Sequence, residues 1–345
     1  MDPRGSVAIA DPGTAVPPAT GRLRIFTWHV HGSYLLSLSH VPHDFYLPVA
    51  PGPPPGYQGR AGPFPWPPNV HEVAVADVPR TRFDCVLYQS RTHYVEDRFR
   101  ILSPAQRRLP RIYLEHDPPR EHPTDQRHVV DDPDALLVHV TPFNALMWDA
   151  GRTPVRVIEH GVPSPGVRST GELPRGIAVV NDLPSRGRRV GADLFLRFRE
   201  RVPLDLIGMG SEAVGGLGEV PHDRLPRFIA RYRFLCNPIR YTSLGLAVIE
   251  AMLIGLPVVG LATTEMATAV RDGVGGYVDT DPDALVERMR ELLADPARAR
   301  RLGEGARRIA ETRFSIRRFV GDWVDAFATV TGRRMPAGAL GAVRP

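Results

Sequence analysis

Short apolar runs recur along this chain, separated by stretches with helical spacing, and the alternation predicts strand and helix in turn. In the first half the strand candidates are Arg22 to Val30, Val73 to Val75, Cys85 to Tyr88, Ile112 to Leu114 and Leu136 to Val140. In the second half they are Ile177 to Val180, Leu204 to Ile207, Phe234 to Cys236, Val258 to Leu261 and Tyr277 to Val278. Helical spacing joins Val190, Leu194, Phe195 and Phe198, and again Leu285, Val286, Met289, Leu292 and Leu293. Asp281-Pro282 and Asp295-Pro296 each set a capping carboxylate before a proline at a first helical position. Such alternation favours parallel sheets with crossover helices, hence an α/β protein. Gly161 to Gly176, GVPSPGVRSTGELPRG, has the composition of a hinge and divides the chain into two doubly wound, Rossmann-like halves facing across a cleft.

The pattern breaks informatively in Asn237 to Leu261, NPIRYTSLGLAVIEAMLIGLPVVGL, where Glu250 stands in an otherwise apolar helix. A carboxylate among Leu246, Val248, Ile249, Met252 and Leu253 loses hydration worth several kcal/mol and needs hydrogen-bonding partners. A polyhydroxylated ligand can supply them; so can a structural partner such as Arg240. Gly255 suits the left-handed residue after the helix, Pro257 prevents its continuation, and Val258-Val259 begins the next strand. At the other end, the free amides near Leu244, Gly245 and Leu246, after the turn at Thr242 and Ser243, form an anion site.

Other stretches carry weaker signals. His31-Gly32-Ser33 closes the first strand, and Gly32 permits a phosphate or sugar to come close. Pro48 to Pro68, rich in proline and glycine and holding Tyr57, Phe64 and Trp66, is too long for a simple connector; it reads as an ordered surface insert or an acceptor-binding lid. RIYLEHDPP, Arg111 to Pro119, ends a strand with Glu115, His116 and Asp117, where doubly wound folds expose side chains to ligand; alternatively His116 caps the following loop. His29 and His31 share a strand face, yet no second ligand cluster follows, and no metal site is assigned. Asp132-Pro133-Asp134 is read as the cap of a helix rather than a metal motif.

At 345 residues there is material for two cores. The net charge of +5 is carried by arginine, since the sequence contains no lysine, and the excess reads as base composition of the gene rather than nucleic-acid binding. The absence of lysine removes any G-x-x-x-x-G-K-[ST] phosphate loop and with it the kinase and ATPase classes. Cys85 and Cys236 lie in apolar runs, which predicts buried free thiols and a reducing compartment. With no run approaching the ~18 apolar residues of a membrane span and no signal-like segment at the start, the expectation is a cytoplasmic protein.

The run EAMLIGLPVV behind Glu250 resembles the nucleotide-sugar signature of family-4 retaining glycosyltransferases of the GT-B fold, with good register from about Gly176 to Val330 and more weakly back to Arg22. The resemblance implies two Rossmann-like domains, an acceptor side at 22–165 and a donor side at 166–313. It further implies a helix at 314–330 returning to the first domain, with tails at 1–21 (disordered) and 331–345 (flexible). It implies a retaining, metal-independent transfer of a sugar from a nucleoside-diphosphate sugar, with no cofactor, to a hydroxyl of a glycan, lipid-linked or small-molecule acceptor. Peripheral contact with the inner membrane face is compatible with such an acceptor.

Glu250 matches the family's ribose-binding glutamate. Its partner glutamate, near the donor sugar, is replaced here by Thr242, and the arginine and lysine that neutralise the diphosphate fall on Asn181 and Arg186, with Arg188 or Arg189 available to substitute. His116 corresponds to a histidine near the donor sugar, so the expected catalytic residues are His116 and Arg186. The expected donor-binding residues are Gly32, Asn181, Arg186, Thr242, Ser243, Leu244, Gly245, Leu246 and Glu250. The losses at Thr242 and Asn181 keep open a non-catalytic nucleotide-sugar-binding relative, alongside a GT-B epimerase.

Overall fold

The computed structural model describes residues 21–335. The expected tails at 1–21 and 331–345 therefore lie outside the described residues, except for residue 21 and residues 331–335.

Seven parallel strands form the first sheet: β1 (Arg24–Thr27), β2 (Asp44–Val49), β3 (Val70–Ala74), β4 (Cys85–Tyr88), β5 (Arg111–Glu115), β6 (Ala135–His139) and β7 (Val155–Val157). Their spatial order is β3-β2-β1-β4-β5-β6-β7. A second parallel sheet orders β8 (Leu173–Val179), β9 (Leu204–Ile207), β10 (Tyr232–Asn237), β11 (Val258–Leu261) and β12 (Gly276–Asp279) as β12-β11-β10-β8-β9. Each order reverses once, between β1 and β4 in the first sheet and between β8 and β10 in the second. Crevices for ligands open at such reversals, outside the carboxyl ends of the strands. This predicts a site lined by the residues after β1, β4, β8 and β10.

Both sheets are covered on both faces, which is why β4 and β11 read as unbroken apolar runs. β2 and β7 were not expected. β2 carries Asp44, Tyr46 and Pro48 and lacks a run of branched aliphatics, while β7 is a three-residue edge strand with Val155 exposed. Val75 leaves β3 and starts a 3-10 turn over Val75–Arg80. The expected helix start at Asp132-Pro133-Asp134 is also corrected. Asp132 Oδ1 accepts the Asp134 amide at 3.0 Å and Oδ2 takes Arg111 at 2.6 Å, so the carboxylate closes a turn before β6 and fixes it to the β5 edge.

The capping signals of the second half are realised. Asp281 accepts the Asp283 amide and Asp295 that of Arg298, opening helices Pro282–Ala294 and Pro296–Arg313. Gly255 ends helix Leu246–Ile254 at φ +83°, where a side chain would be strained. After Arg313 the chain crosses back to the first sheet. Helix Ile316–Thr331 inserts Phe319, Val320, Trp323 and Phe327 among Ile25, Leu35, Phe45 and Leu87, all buried, and the Trp323 indole donates to the Tyr34 hydroxyl at 3.2 Å. At ~1.5–3 kcal/mol per buried large side chain, this helix is a major part of the first domain's core. Cys85 and Cys236 are buried free thiols, the latter pushed up to about 12 by burial, and neither is a nucleophile.

Candidate functional site

Residues after β1, β4 and β5 converge on the first wall of the cleft. Gln89 donates its amide to Thr27 Oγ1 (2.9 Å) and to the Trp28 carbonyl (3.1 Å), which turns its carbonyl oxygen toward His116 Nε2 at 3.1 Å. The network therefore assigns the proton of His116 to Nε2 and leaves Nδ1 an acceptor. The rings of His31 and Tyr34 stand edge-on to His116, at 4.4 and 4.9 Å between centroids, and His160 lies 5.5 Å from Tyr34. Burial pushes His116 well below the usual histidine range, with the positive potential of His31 and His160 adding to it. It pushes His160 to about 4, against the pull of the Leu244 carbonyl. His31 is lowered too, against the opposing charge of Asp117. This wall presents neutral imidazoles near neutral pH, able to exchange hydrogen bonds with hydroxyl groups without carrying charge.

The long insert is ordered and reaches the cleft. Backbone bonds from Gly56 and Tyr57, together with His29 Nδ1 against the Gly59 carbonyl at 2.7 Å, hold its first half to β1 and β2. Its tip folds over Gly32: a Cβ built there would lie 2.3 Å from Phe64 Cε2, so the close approach that this glycine permits is taken up by an aromatic ring. Phe64 in turn stands 6.0 Å from the His222 ring of the second domain. His29 faces Trp66 and Phe64 while His31 faces His116. Among the described residues no three His, Cys, Asp or Glu side chains converge as metal ligands.

The opposite wall follows β8 and β10. Asn181 Oδ1 accepts the Met209 amide at 3.0 Å and its carbonyl takes Arg186 Nη1 at 3.2 Å, so Asn181 orders the loop that presents Arg186. Arg188 is committed to Asp193 at 2.6 Å, and Arg240 grips the same carboxylate at 2.6 and 2.8 Å. Arg189 has no ion-pair partner among the described residues. Burial and the nearby Arg120 and Arg186 charges hold its guanidinium below the ordinary arginine value, with Asp117 opposing. Arg189 thus stands under the charge of Arg120 and Arg186 with the Asp117 carboxylate opposing, an imbalance that an anion would relieve. The Arg189 carbonyl accepts the Arg240 and Tyr241 amides at 3.0 and 3.1 Å, which ties its loop to the turn leading into helix Leu246–Ile254, where the Leu246 and Ala247 amides have no intrahelical partners.

Glu250 is 9 % exposed and lies 3.4 Å from His222 Nε2. The alternative of an Arg240 pair does not occur, because Arg240 belongs to Asp193. The hydrogen bond to Glu250 raises His222 against the cost of burial. Nothing in the Pro221-His222-Asp223 stretch marks it as part of a site in the sequence.

Thr242 and Ser243 look across the cleft rather than into it. Ser243 Oγ donates to the His116 carbonyl and accepts from Asn144 Nδ2 at 2.6 Å, while Thr242 Oγ1 donates to Asp117 Oδ1 at 3.5 Å. The Tyr241 hydroxyl reaches the Pro119 carbonyl at 2.9 Å. Leu244 is buried, and Gly245 caps the helix in an extended conformation. Asn144 carries no motif and was not anticipated. Its place follows from the Thr141 cap, whose Oγ1 accepts the Asn144 amide at 3.0 Å, so that the residue faces β5.

Residues 197–295 match the family described as glycosyl transferases group 1. The chain is a relative of these glycosyltransferases. It is 28% identical to D-inositol 3-phosphate glycosyltransferase of Salinispora tropica over 61% of this chain and 54% of that one, so the chain spans about half the length of that relative. It is 31% identical to the GDP-mannose-dependent alpha-(1-6)-phosphatidylinositol monomannoside mannosyltransferase of Mycolicibacterium smegmatis, over 37% of this chain and 38% of that one.

Among solved structures, sucrose-phosphate synthase of Thermosynechococcus elongatus superposes with a TM-score of 0.67 over 90% of this chain and 100% of its own at 17% identity. Anabaena HepE in complex with UDP and glucose gives 0.65 over 89% and 100% at 13% identity. The architecture of this group 1 relative is the two-domain GT-B fold. No helix among the described residues is long and apolar enough to cross a membrane.

Proposed function

We propose that this protein transfers a sugar from a nucleoside-diphosphate sugar to a hydroxyl acceptor. The observation that carries the reading is Arg189, without an ion-pair partner among the described residues and under the charge of Arg186, on a loop bonded to the turn before helix Leu246–Ile254, in a wall that also holds the Glu250 carboxylate and faces neutral imidazoles. The arginines and the helix dipole stabilise the diphosphate as it leaves, Glu250 accepts hydrogen bonds from the ribose, and His116 offers Nδ1 to a sugar hydroxyl. Charge-assisted contacts of this kind contribute about 1.5–3 kcal/mol each. The proposal assigns leaving-group stabilisation to these groups and invokes no metal ion. Closure of the two halves excludes the water that would otherwise hydrolyse the donor. Retention of anomeric configuration is part of the proposal through the resemblance of the EAMLIGLPVV run. A relative acting on GDP-mannose and a neighbour solved with UDP and glucose support nucleotide sugars of these two bases as first candidates.

One observation favours a second reading. The Thr242 and Ser243 hydroxyls are engaged by the first domain, which leaves a binding protein without catalysis as the rival. A panel of UDP- and GDP-sugars separates the two. Thermal stabilisation together with release of UDP or GDP in the presence of a hydroxyl acceptor is expected. Stabilisation with neither release nor transfer across the panel would establish the binder, and no stabilisation by any nucleotide would defeat both.

A further inference from the structure

Asp117 is held more firmly than a loop residue beside a cleft requires. Its amide donates to Glu115 Oε1 at 2.9 Å, and its carbonyl accepts the Trp148 indole N–H at 2.8 Å. Glu115 is itself fixed, because His128 accepts the Val130 amide on Nδ1 at 3.1 Å and so donates from Nε2 to Glu115 Oε2, also at 3.1 Å. Backbone clamps on both sides leave the Asp117 side chain little freedom, which is the condition under which a ligand-binding group keeps its geometry.

The side chain points across the cleft. Oδ1 meets Thr242 Oγ1 of the second domain at 3.5 Å, and Oδ2 meets Arg120 at 2.5 Å, with the carboxylate still part-exposed. Its charge acts on His31 on one side and on Arg189 on the other. The carboxylate therefore stands between the imidazole wall and the arginines. On the second domain's side the turn Tyr241, Thr242, Ser243 carries no charge, and its hydroxyls are bonded to the 116–119 loop. A diphosphate held at Arg186 and Arg189 would bring its sugar toward the exposed edge of this carboxylate, beside the Thr242 contact rather than through it, and a carboxylate there is an acceptor suited to hydroxyl donors.

We propose that Asp117, a residue of the first domain, binds hydroxyl groups of the transferred sugar and selects for it, so that the charged sugar contact comes from across the cleft rather than from the turn that precedes helix Leu246–Ile254. The inference rests on the reading of the cleft as a nucleoside-diphosphate-sugar site, and it deepens that reading by naming the group that distinguishes the sugar conjugate from the bare diphosphate.

The test compares two pairs of probes, UDP with UDP-glucose and GDP with GDP-mannose, by calorimetry on the full chain. The quantity read is the ratio of affinities within whichever pair the wild type binds. Asp117→Asn keeps the shape and removes the charge. It should weaken the sugar conjugate about tenfold or more while changing the bare diphosphate less than threefold. Asp117→Ser, with a similar melting temperature, should do the same and guards against a folding artefact. Arg120→Gln is the control for a merely structural ion pair. It should leave the ratio unchanged, because any loss of phosphate attraction falls equally on both members of a pair. An unchanged ratio in Asp117→Asn, or an equal shift in Arg120→Gln, overturns the proposal while leaving the diphosphate site intact. Failure of the wild type to bind any of the four probes removes the underlying reading and the inference with it.

Discussion

Glu250 is the residue whose surroundings say most. A carboxylate 9 % exposed in an apolar helix is held by one imidazole, His222, itself part-exposed. Glu250→Ala should weaken nucleoside diphosphates and their sugars alike by about 10- to 100-fold, the equivalent of ~1.5–3 kcal/mol for a charged hydrogen bond, as measured by calorimetry. In the free protein the same change should lower the pKa of His222, because its hydrogen bond to Glu250 is the largest influence raising it, and a histidine NMR titration reads this directly. Equal nucleotide affinity in a folded variant would return Glu250 to a structural role. The arginines divide by their partners. Arg188→Ala removes a side chain committed to Asp193 and should leave ligand affinity within about threefold, whereas Arg189→Ala should weaken UDP or GDP well beyond its effect on uridine or guanosine. Losses as large for the nucleoside as for the diphosphate would move the phosphate site elsewhere.

At the scale of elements, helix Ile316–Thr331 tests whether the first domain is complete without its C-terminal strap. Trp323→Ala, which removes a fully buried ring from among Tyr34, Phe319 and Phe327, should cost about 3–5 kcal/mol and lower the first midpoint seen in denaturant unfolding. A loss below about 1 kcal/mol would mean that the helix is only loosely docked. The elements of the second half were legible because their signals are local. Asp281 and Asp295 announce helices one residue ahead of a proline, Gly255 closes one, and β9 and β11 are bounded by their own apolar runs. β2 and β7 were not legible, since polar residues and short length hide strands whose pairing is decided by neighbours far along the chain. Asp132 misled for a related reason. Asp before Pro fits a helix cap and a closed turn equally, and the choice was made by Arg111, which no local window contains. The burial of Glu250 and its need for a partner were legible, because a carboxylate in an apolar helix is a local constraint. Asn144 and His222 were not legible, since the fold brings them to the cleft from segments that carry no motif, while Arg188 and Arg189 were told apart only by the partner each finds, Asp193 for Arg188.

Across the whole molecule the two halves are tied at the base of the cleft. Arg313 pairs with Glu159 and Glu265 at 2.5 Å each, Glu265 also accepts the Phe143 amide at 3.2 Å, and the turn at 241–243 bonds to the 116–119 loop. Several buried histidines make this assembly sensitive to acid. His43, His93 and His160 are pushed to about 4 and His139 to about 3 by burial, all below the unfolded value of 6.5. A base whose folded pKa is depressed is protonated more readily in the unfolded chain, so the stability it allows is fully present above pH ~6.5. That stability is lost as pH falls toward about 4, by up to ~1.4 kcal/mol per pH unit for each such group. The melting temperature should therefore fall steeply from pH 6.5 to 4, and a flat profile there would show that these rings are already solvated. The return of helix Ile316–Thr331 to the first sheet also has a meaning for biosynthesis. On the ribosome, strands β1 to β7 emerge with one face of their sheet still lacking Phe319, Trp323 and Phe327. At about 5–20 residues per second, the intervening second sheet is translated over roughly ten seconds or more, during which that apolar face waits uncovered and open to capture by a chaperone. The half of the protein made first is thus expected to be the half that finishes folding last.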